Sequence, residues 1–237
     1  MVVDVFIWSY EREAVDIRIA SLKDTVDLHV AVQATNDFRG RPRIAKPLDL
    51  HNKNVIDVIV TIPDGLDAWQ SEVWLRDRAL IEATKVCPVD TWYIVSDGDE
   101  IPHPWAIKAA IFNDRPVKLM TDYRNFYADL RAIDHILEHQ PTMAKLPDYR
   151  KAGGANSARW YSGWDSSNFT GWHLSSLGDT SKEKLETFAH IEYDKKRFKN
   201  NLDYNRVNMK DFLGRFDMEW TNDIPLGVPD HLLGREL

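Results

Sequence analysis

Three carboxylates, Asp97, Asp99 and Glu100, fall within four residues in the stretch TWYIVSDGDEIPHP. An apolar run leads into them, so the charge arrives at the tip of what reads as a buried strand. In an open α/β sheet, ligands bind at the carboxyl ends of the strands. Residues two apart on an extended backbone point to one side, which sets Asp97 and Asp99 facing together. Gly98 between them leaves room for a ligand to approach the backbone. Such a pair suits a hard divalent cation, Mg or Mn, with open positions for phosphate oxygens and water. The ion would act as a Lewis acid on a departing diphosphate. The plain alternative is turn chemistry, because Asp is common where strands end. An EF-hand loop is excluded, since its third acid and its glycine are missing.

The elements that must position these acids follow from hydrophobic periodicity. VVDVFIW, VDLHVAVQAT, NVIDVIVTI and TWYIVS read as four strands, the last continuously apolar as a strand buried on both faces should be. Tyr10–Lys23 and Asp67–Lys85 read as helices between them, the second opened by a capping box of Asp67 and Gln70. This alternation predicts an α/β fold, a mostly parallel sheet with helices on both faces, in a single domain over 1–237. PVKLMTDYRNFYADL reads as further strand, and RKAGGANSARWYSGWDSSNFTGWHLSS as a Gly, Ser and Trp-rich loop ending in a short strand. SKEKLETF reads as helix, and the tail beyond it has little periodicity.

Both helices carry an arginine on an apolar stripe. Trp69, Val73, Arg76, Leu80 and Ala83 advance by 4, 3, 4 and 3, with Glu72 one turn before Arg76. Glu11, Val15, Arg18 and Leu22 repeat the pattern. Either the arginines snorkel at the interface edge, or they pair with acids and support a polar site.

The chain has 237 residues, 43% hydrophobic and 28% charged, with a net charge of −7. That balance offers no basic field for nucleic acid or an anionic membrane. The single cysteine, Cys87, rules out an intrachain disulfide, and the N-terminus lacks a signal-like basic segment. Both point to a reducing, cytoplasmic setting with no membrane span.

Four stretches in order resemble the glycosyltransferase family that includes the β-1,4-mannosyl-glycoprotein 4-β-N-acetylglucosaminyltransferase, and most closely its short bacterial and viral members. They are YEREAVDIRIASLKDTVDLHVAVQATNDFRGRPR, DAWQSEVWLRDRAL, IVSDGDEIPHP, and GWHLSSLGD…KLETFAHIEY followed by FLGR. The resemblance implies a GT-A-like fold with a donor half (1–105) and an acceptor half with the C-terminal tail (106–237). It implies a nucleotide-sugar donor, UDP-linked as the first expectation and carrying N-acetylglucosamine or a related sugar. It further implies inverting transfer to a hydroxyl on a glycan or other acceptor. The metal would be held by Asp97 and Asp99 with a later histidine, His190. Glu11, Gln33, Arg76, Asp97, Trp172 and His173 would line the donor site, Trp172 offering a stacking face. Asp179 is the first candidate for the general base and Glu192 the second, with Glu100 orienting the loop. The chain departs from the family at Gln33, where an acid is usual, and at Leu75 and Asp77, which flank Arg76 in place of Gln and Asn. Rival readings are a nucleotidyltransferase, a non-catalytic carbohydrate-binding protein, and a transferase acting on hydroxymethylated pyrimidines in DNA.

Overall fold

The computed structural model describes residues 1–48, 54–136, 141–178, 180–187, 189, 193–211 and 213–234, with only the backbone at 134–136, 168 and 169. Its first half follows the sequence pattern closely. β1 (Val2–Ile7), α1 (Arg12–Leu22), β2 (Leu28–Ala34), β3 (Val55–Val60), α2 (Ala68–Thr84) and β4 (Trp92–Asp97) succeed one another. The strands lie side by side in the order β4-β1-β2-β3, all parallel. Alternation along β1 then divides the helices. Val3, Val5 and Ile7 pack with Leu75, Ala79 and Ala83 of α2 on one face, whereas Val2 lies on the other with Ala14, Ile17 and Leu22 of α1. Burying each of these larger aliphatic side chains contributes about 1.5–3 kcal/mol.

The predicted capping box opens α2: Asp67 accepts from the Gln70 amide, and the Gln70 side chain accepts from the Asp67 amide. The stripe on α2 is rotated from the predicted one. Ser71, Leu75, Arg76, Ala79, Leu80 and Ala83 are buried, while Trp69 and Val73 are exposed. Leu75 and Ala79 face the sheet in their place, a turn of less than one residue about the helix axis.

After β4 come β5 (Glu100–Pro102), α3 (Pro104–Asn113), β6 (Val117–Phe126), β7 (Leu130–Ile136), β8 (Thr142–Lys145), α4 (Leu146–Ala152), α5 (Ala155–Ala158) and β9 (Asp165–Leu177). They are followed by α6 (Ser181–Thr187), α7 (Lys196–Asn200), α8 (Leu202–Val207) and β10 (Met218–Trp220). β8 pairs antiparallel with β4 and extends the sheet through β6 and β7 to β10, while β9 runs parallel to β6 and antiparallel to β5. The result is a mixed α/β sheet, parallel through most of its paired residues, in one compact unit.

Two stretches differ from expectation. The stretch after the acidic turn, which the sequence pattern leaves unassigned, is helical: Pro104 opens α3 in its first turn, where its missing N–H is harmless. The Gly, Ser and Trp-rich segment holds two short helices and a turn, and the short strand expected at its end is the thirteen-residue β9. Gly171 makes the β9 pairing possible, because a Cβ there would lie 2.4 Å from the Ile101 carbonyl oxygen.

Candidate active site

β1 and β2 run to one side and the chain then returns to lay β4 on the other side of β1, so the strand order reverses between β1 and β4. Their carboxyl ends meet there, with Ile7 paired to Asp97. Crevices at such reversals are the usual ligand sites of open α/β sheets.

A buried cation holds this corner together. Asp4 sits on the α1 face of β1, and the fully buried Arg18 of α1 reaches it through Nε (2.8 Å to Oδ2) and Nη2 (2.5 Å to Oδ1). Nη2 also donates to Ser96 Oγ at 2.6 Å. Nη1 donates to the Asp97 and Glu100 carbonyls at 3.0 and 2.6 Å. All five N–H groups of the guanidinium are thus used. Arg18 ties β1 and β4 to the acidic turn, and its partner is Asp4 rather than Glu11. Despite its burial, the Arg18 charge and the His29 contact hold the Asp4 carboxyl far below the usual carboxylate range.

Asp97 is gripped from α2 and α5. Arg76 donates to Asp97 Oδ1 from Nε at 3.2 Å and from Nη2 at 2.8 Å, and Nη2 also reaches Oδ2 at 3.0 Å. Nη2 lies 2.8 Å from Glu72 Oε1 as well. Burial opposes this charge, but Asp97 and Glu72 outweigh it and hold the guanidinium firmly protonated. Arg76 is therefore a paired, buried cation and not a snorkelling one. Its Nη1 donates to Asn156 Oδ1 at 2.5 Å, and Asp77 accepts from the Asn156 amide at 2.8 Å. These two bonds dock α5 on α2, and α5 leads into Arg159. Arg159 contacts Asp97 Oδ2 at 3.5 Å and donates to Glu100 Oε1. Glu100 in turn accepts from the Asp97 amide at 3.0 Å through Oε2, so it orients the turn as expected.

Asp99 faces a different set of partners. Its Oδ2 lies 3.0 Å from Lys184 Nζ of α6 and 3.5 Å from His173 Nε2 of β9. Burial alone would raise its pKa; Lys184 and His173 prevail and hold the carboxyl well below the ordinary range. Lys184 also donates to Ser175 Oγ at 2.8 Å. Burial works against this ammonium too, but Asp99 and Glu11 raise its pKa. Glu11, just ahead of α1, accepts through Oε2 from the Ser9 and Tyr10 amides at 2.8 and 3.1 Å. Burial first, then Asp99, pushes the Glu11 carboxyl up.

A cavity of about 270 Å³ opens over these groups, lined by Glu11, Asp97, Asp99, Arg159, His173 and Lys184, with Tyr10, Arg43, Trp69 and Tyr123 among its walls. Not every expected donor residue reaches it. Gln33 is buried and holds Lys46, donating to its carbonyl at 2.7 Å and accepting from its amide at 3.1 Å. Trp172 is a core residue of β9 whose ring packs 3.9 Å from that of His103, so it offers no stacking face to the cavity. The exposed Trp69 does. Gly98 leaves no room for a ligand: a Cβ would meet Trp8 Cβ at 3.0 Å and the Ile7 carbonyl at 3.3 Å. Its smallness lets the acidic turn lie against the end of β1. Asp179, His190 and Glu192 lie outside the described residues. Arg159, Lys184 and Arg43 escaped sequence reasoning because each sits in a stretch whose local pattern marks only surface or loop, and Tyr123 because nothing in its strand pattern sets it apart from a core residue.

The expected divalent ion does not fit the donors as they stand. Arg76 holds both Asp97 oxygens, and Lys184 and His173 share Asp99 Oδ2. An ion bridging the two aspartates would have to displace a guanidinium or an ammonium. Among the described residues no three His, Cys, Asp or Glu side chains gather as a metal-binding group. Among the same residues, no helix is long and apolar enough to cross a membrane. Compared with models of known protein families and with curated proteins, the chain matches none.

Proposed function

We propose that this chain is an inverting glycosyltransferase of GT-A-like architecture that moves a sugar from a nucleotide-sugar donor to an acceptor hydroxyl. One observation carries the reading: acids and cations converge on a cavity at the strand-order reversal between β1 and β4. The four stretches resembling the glycosyltransferase family support it, since Glu11, Asp97 and Asp99 line that cavity, while Arg18 and Arg76 do not reach it and hold the acidic turn from behind.

In the transfer, the acceptor oxygen attacks the anomeric carbon, the bond from that carbon to the diphosphate oxygen breaks, and its electron pair leaves with the nucleoside diphosphate. The acceptor proton passes to a carboxylate base. Among the described residues Glu11 suits that role best: it lines the cavity, and burial beside Asp99 raises its proton affinity. Asp97 and Asp99 act through the cations they fix. Trp69 supplies an apolar face for a sugar ring.

The experiment is a panel of nucleotide sugars, UDP-linked first, incubated with the protein and simple glycan acceptors. Release of nucleoside diphosphate with transfer of the sugar is the expected result. Release of pyrophosphate from a nucleotide triphosphate and a sugar phosphate would instead make the protein a nucleotidyltransferase. Sugar binding without turnover of any donor would leave a carbohydrate-binding protein.

A further inference from the structure

Among the cations that line the cavity, Lys184 and Arg43 are placed to meet an anion rather than a metal. Lys184 Nζ has two partners, Asp99 Oδ2 at 3.0 Å and Ser175 Oγ at 2.8 Å, so one of its three N–H groups has none among the described residues. Arg43 also lines the cavity, yet it donates only to the Ser9 hydroxyl and, at 2.7 Å, to the Ser9 carbonyl, and no described carboxylate neutralises it. One N–H group of Lys184 and the guanidinium of Arg43 thus face the space above Asp97 and Asp99, both of which are already paired. A divalent ion on Asp99 Oδ2 would have to evict the ammonium that already occupies that oxygen.

We propose that Lys184, fixed by Asp99 and Ser175 and assisted by Arg43, is the cation that binds the donor diphosphate and offsets the charge it gains on leaving, without a divalent metal. The proposal rests on the nucleotide-sugar reading above. Asp99 then serves as the counter-ion that pins the ammonium, which explains an aspartate near the strand end that no metal needs to meet. When the bond between anomeric carbon and diphosphate oxygen breaks, one further negative charge settles on the diphosphate. A buried ammonium already in place meets it without reorganisation. Once the proton of the acceptor hydroxyl has moved to the base, no further reactant is required.

The test uses uridine diphosphate as the probe, titrated calorimetrically against the full chain in excess chelator and again in Mn. The expected result is the same affinity in both, within about threefold. Lys184→Met should weaken binding at least tenfold, and Lys184→Arg should keep binding that is insensitive to chelator. Manganese alone, followed by the spin-resonance signal of the free ion, should find no site in the wild type. In Lys184→Met, which frees Asp99 beside Glu11, it should gain one. A thermal melt confirms that each variant is folded; if Lys184→Met is not, Lys184→Arg and the wild-type titrations decide. Binding of uridine diphosphate only when Mn is present, with the Mn signal lost in Asp99→Asn, would overturn the proposal and leave the glycosyltransferase reading standing. Absence of binding by uridine, guanosine and cytidine diphosphates under either condition would remove the donor reading, and this proposal with it.

Discussion

Replacing Arg18 by Met keeps much of the side-chain volume and removes all five donors at once. The Asp4 carboxylate, fully buried, is then left with His29 alone at 2.9 Å, while Ser96 Oγ and the carbonyls of Asp97 and Glu100 lose their shared donor. Breaking a buried ion pair from one side costs about 3–5 kcal/mol. Proton uptake by Asp4 caps the electrostatic share: from pH 7 to an ordinary aspartate pKa near 3.9, at 1.36 kcal/mol per unit, the cap is about 4 kcal/mol. Each stranded carbonyl adds about 1 kcal/mol or more. A loss of about 4–6 kcal/mol is a large part of the roughly 5–15 kcal/mol that holds a typical domain. At about 2–4 °C per kcal/mol for a chain of this size, the melting temperature should fall by at least about 8 °C. The pH dependence gives the sign. With Arg18 present the Asp4 pKa is depressed, so its stabilisation is complete above the ordinary aspartate range and is lost as pH falls through the lower folded value. Without Arg18 that contribution is gone and the stranded carboxyl takes up a proton instead, so the gap between the two proteins should be widest at neutral pH and narrow as pH falls from 7 towards the ordinary aspartate pKa. Urea unfolding followed by tryptophan fluorescence at pH 7 and pH 5 measures both. A deficit under about 1 kcal/mol at pH 7, or one equal at both pH values, would refute the claim that this buried pair organises the corner.

Three further outcomes are expected. Arg76→Lys keeps a charge but loses the planar fork on Asp97, and should weaken nucleotide binding or turnover at least tenfold; a folded Arg76→Met variant with wild-type affinity and rate would show the pairing to be irrelevant to function. Glu11→Gln removes a carboxylate whose raised pKa makes its ionised form a burden on the fold, so stability now lost as pH rises through that pKa should be kept. The variant should melt higher at pH 7 yet lose about 10²–10⁴-fold in transfer, together with an acid limb of kcat/KM that lies above the ordinary glutamate range. A lower melting temperature with full activity would contradict both halves. Gly171→Ala sets a methyl group against backbone at 2.4 Å from the Ile101 oxygen and 2.9 Å from Pro102 Cα, and should cost about 3 kcal/mol or more in denaturant titration; a neutral change would mean that β5 and β9 are not so closely paired.

The first four strands and two helices are legible because hydrophobic period and capping chemistry act within a few residues. Asp67 and Gln70 announce the start of α2 without any tertiary help. Arg76 was marked as anomalous by its apolar neighbours, and the pattern named Glu72 as a partner but not Asp97, which lies 21 residues away. The length of β9 escaped, though not its end, because its serines and glycine lower its apparent strand character; it is stabilised instead by being clasped between β5 and β6. Lys184 lies among other lysines on a short helix, SKEKLET, and only the fold distinguishes it from Lys182 by turning it inward onto Asp99. Single-residue pattern carries no information about which of two surface-like lysines a distant carboxylate will select.

The interleaving of the sheet bears on how the protein is made. β4 is paired on one side by β1 but waits on its other side for β8, so a nascent chain that has reached the acidic turn presents an open strand edge. The same intermediate carries Glu11 and Asp99 without Lys184, 85 residues further on, which the ribosome supplies only after about 4–17 s at 5–20 residues per second. Until then Glu11 and Asp99 stand without their ammonium at the tip of that edge, and charge on an exposed strand edge is what natural sheets use to discourage pairing between chains. The acids are thus laid down before the cation that pairs with Asp99, which arrives only with the last third of the chain. A chain cut near residue 105 would keep them so.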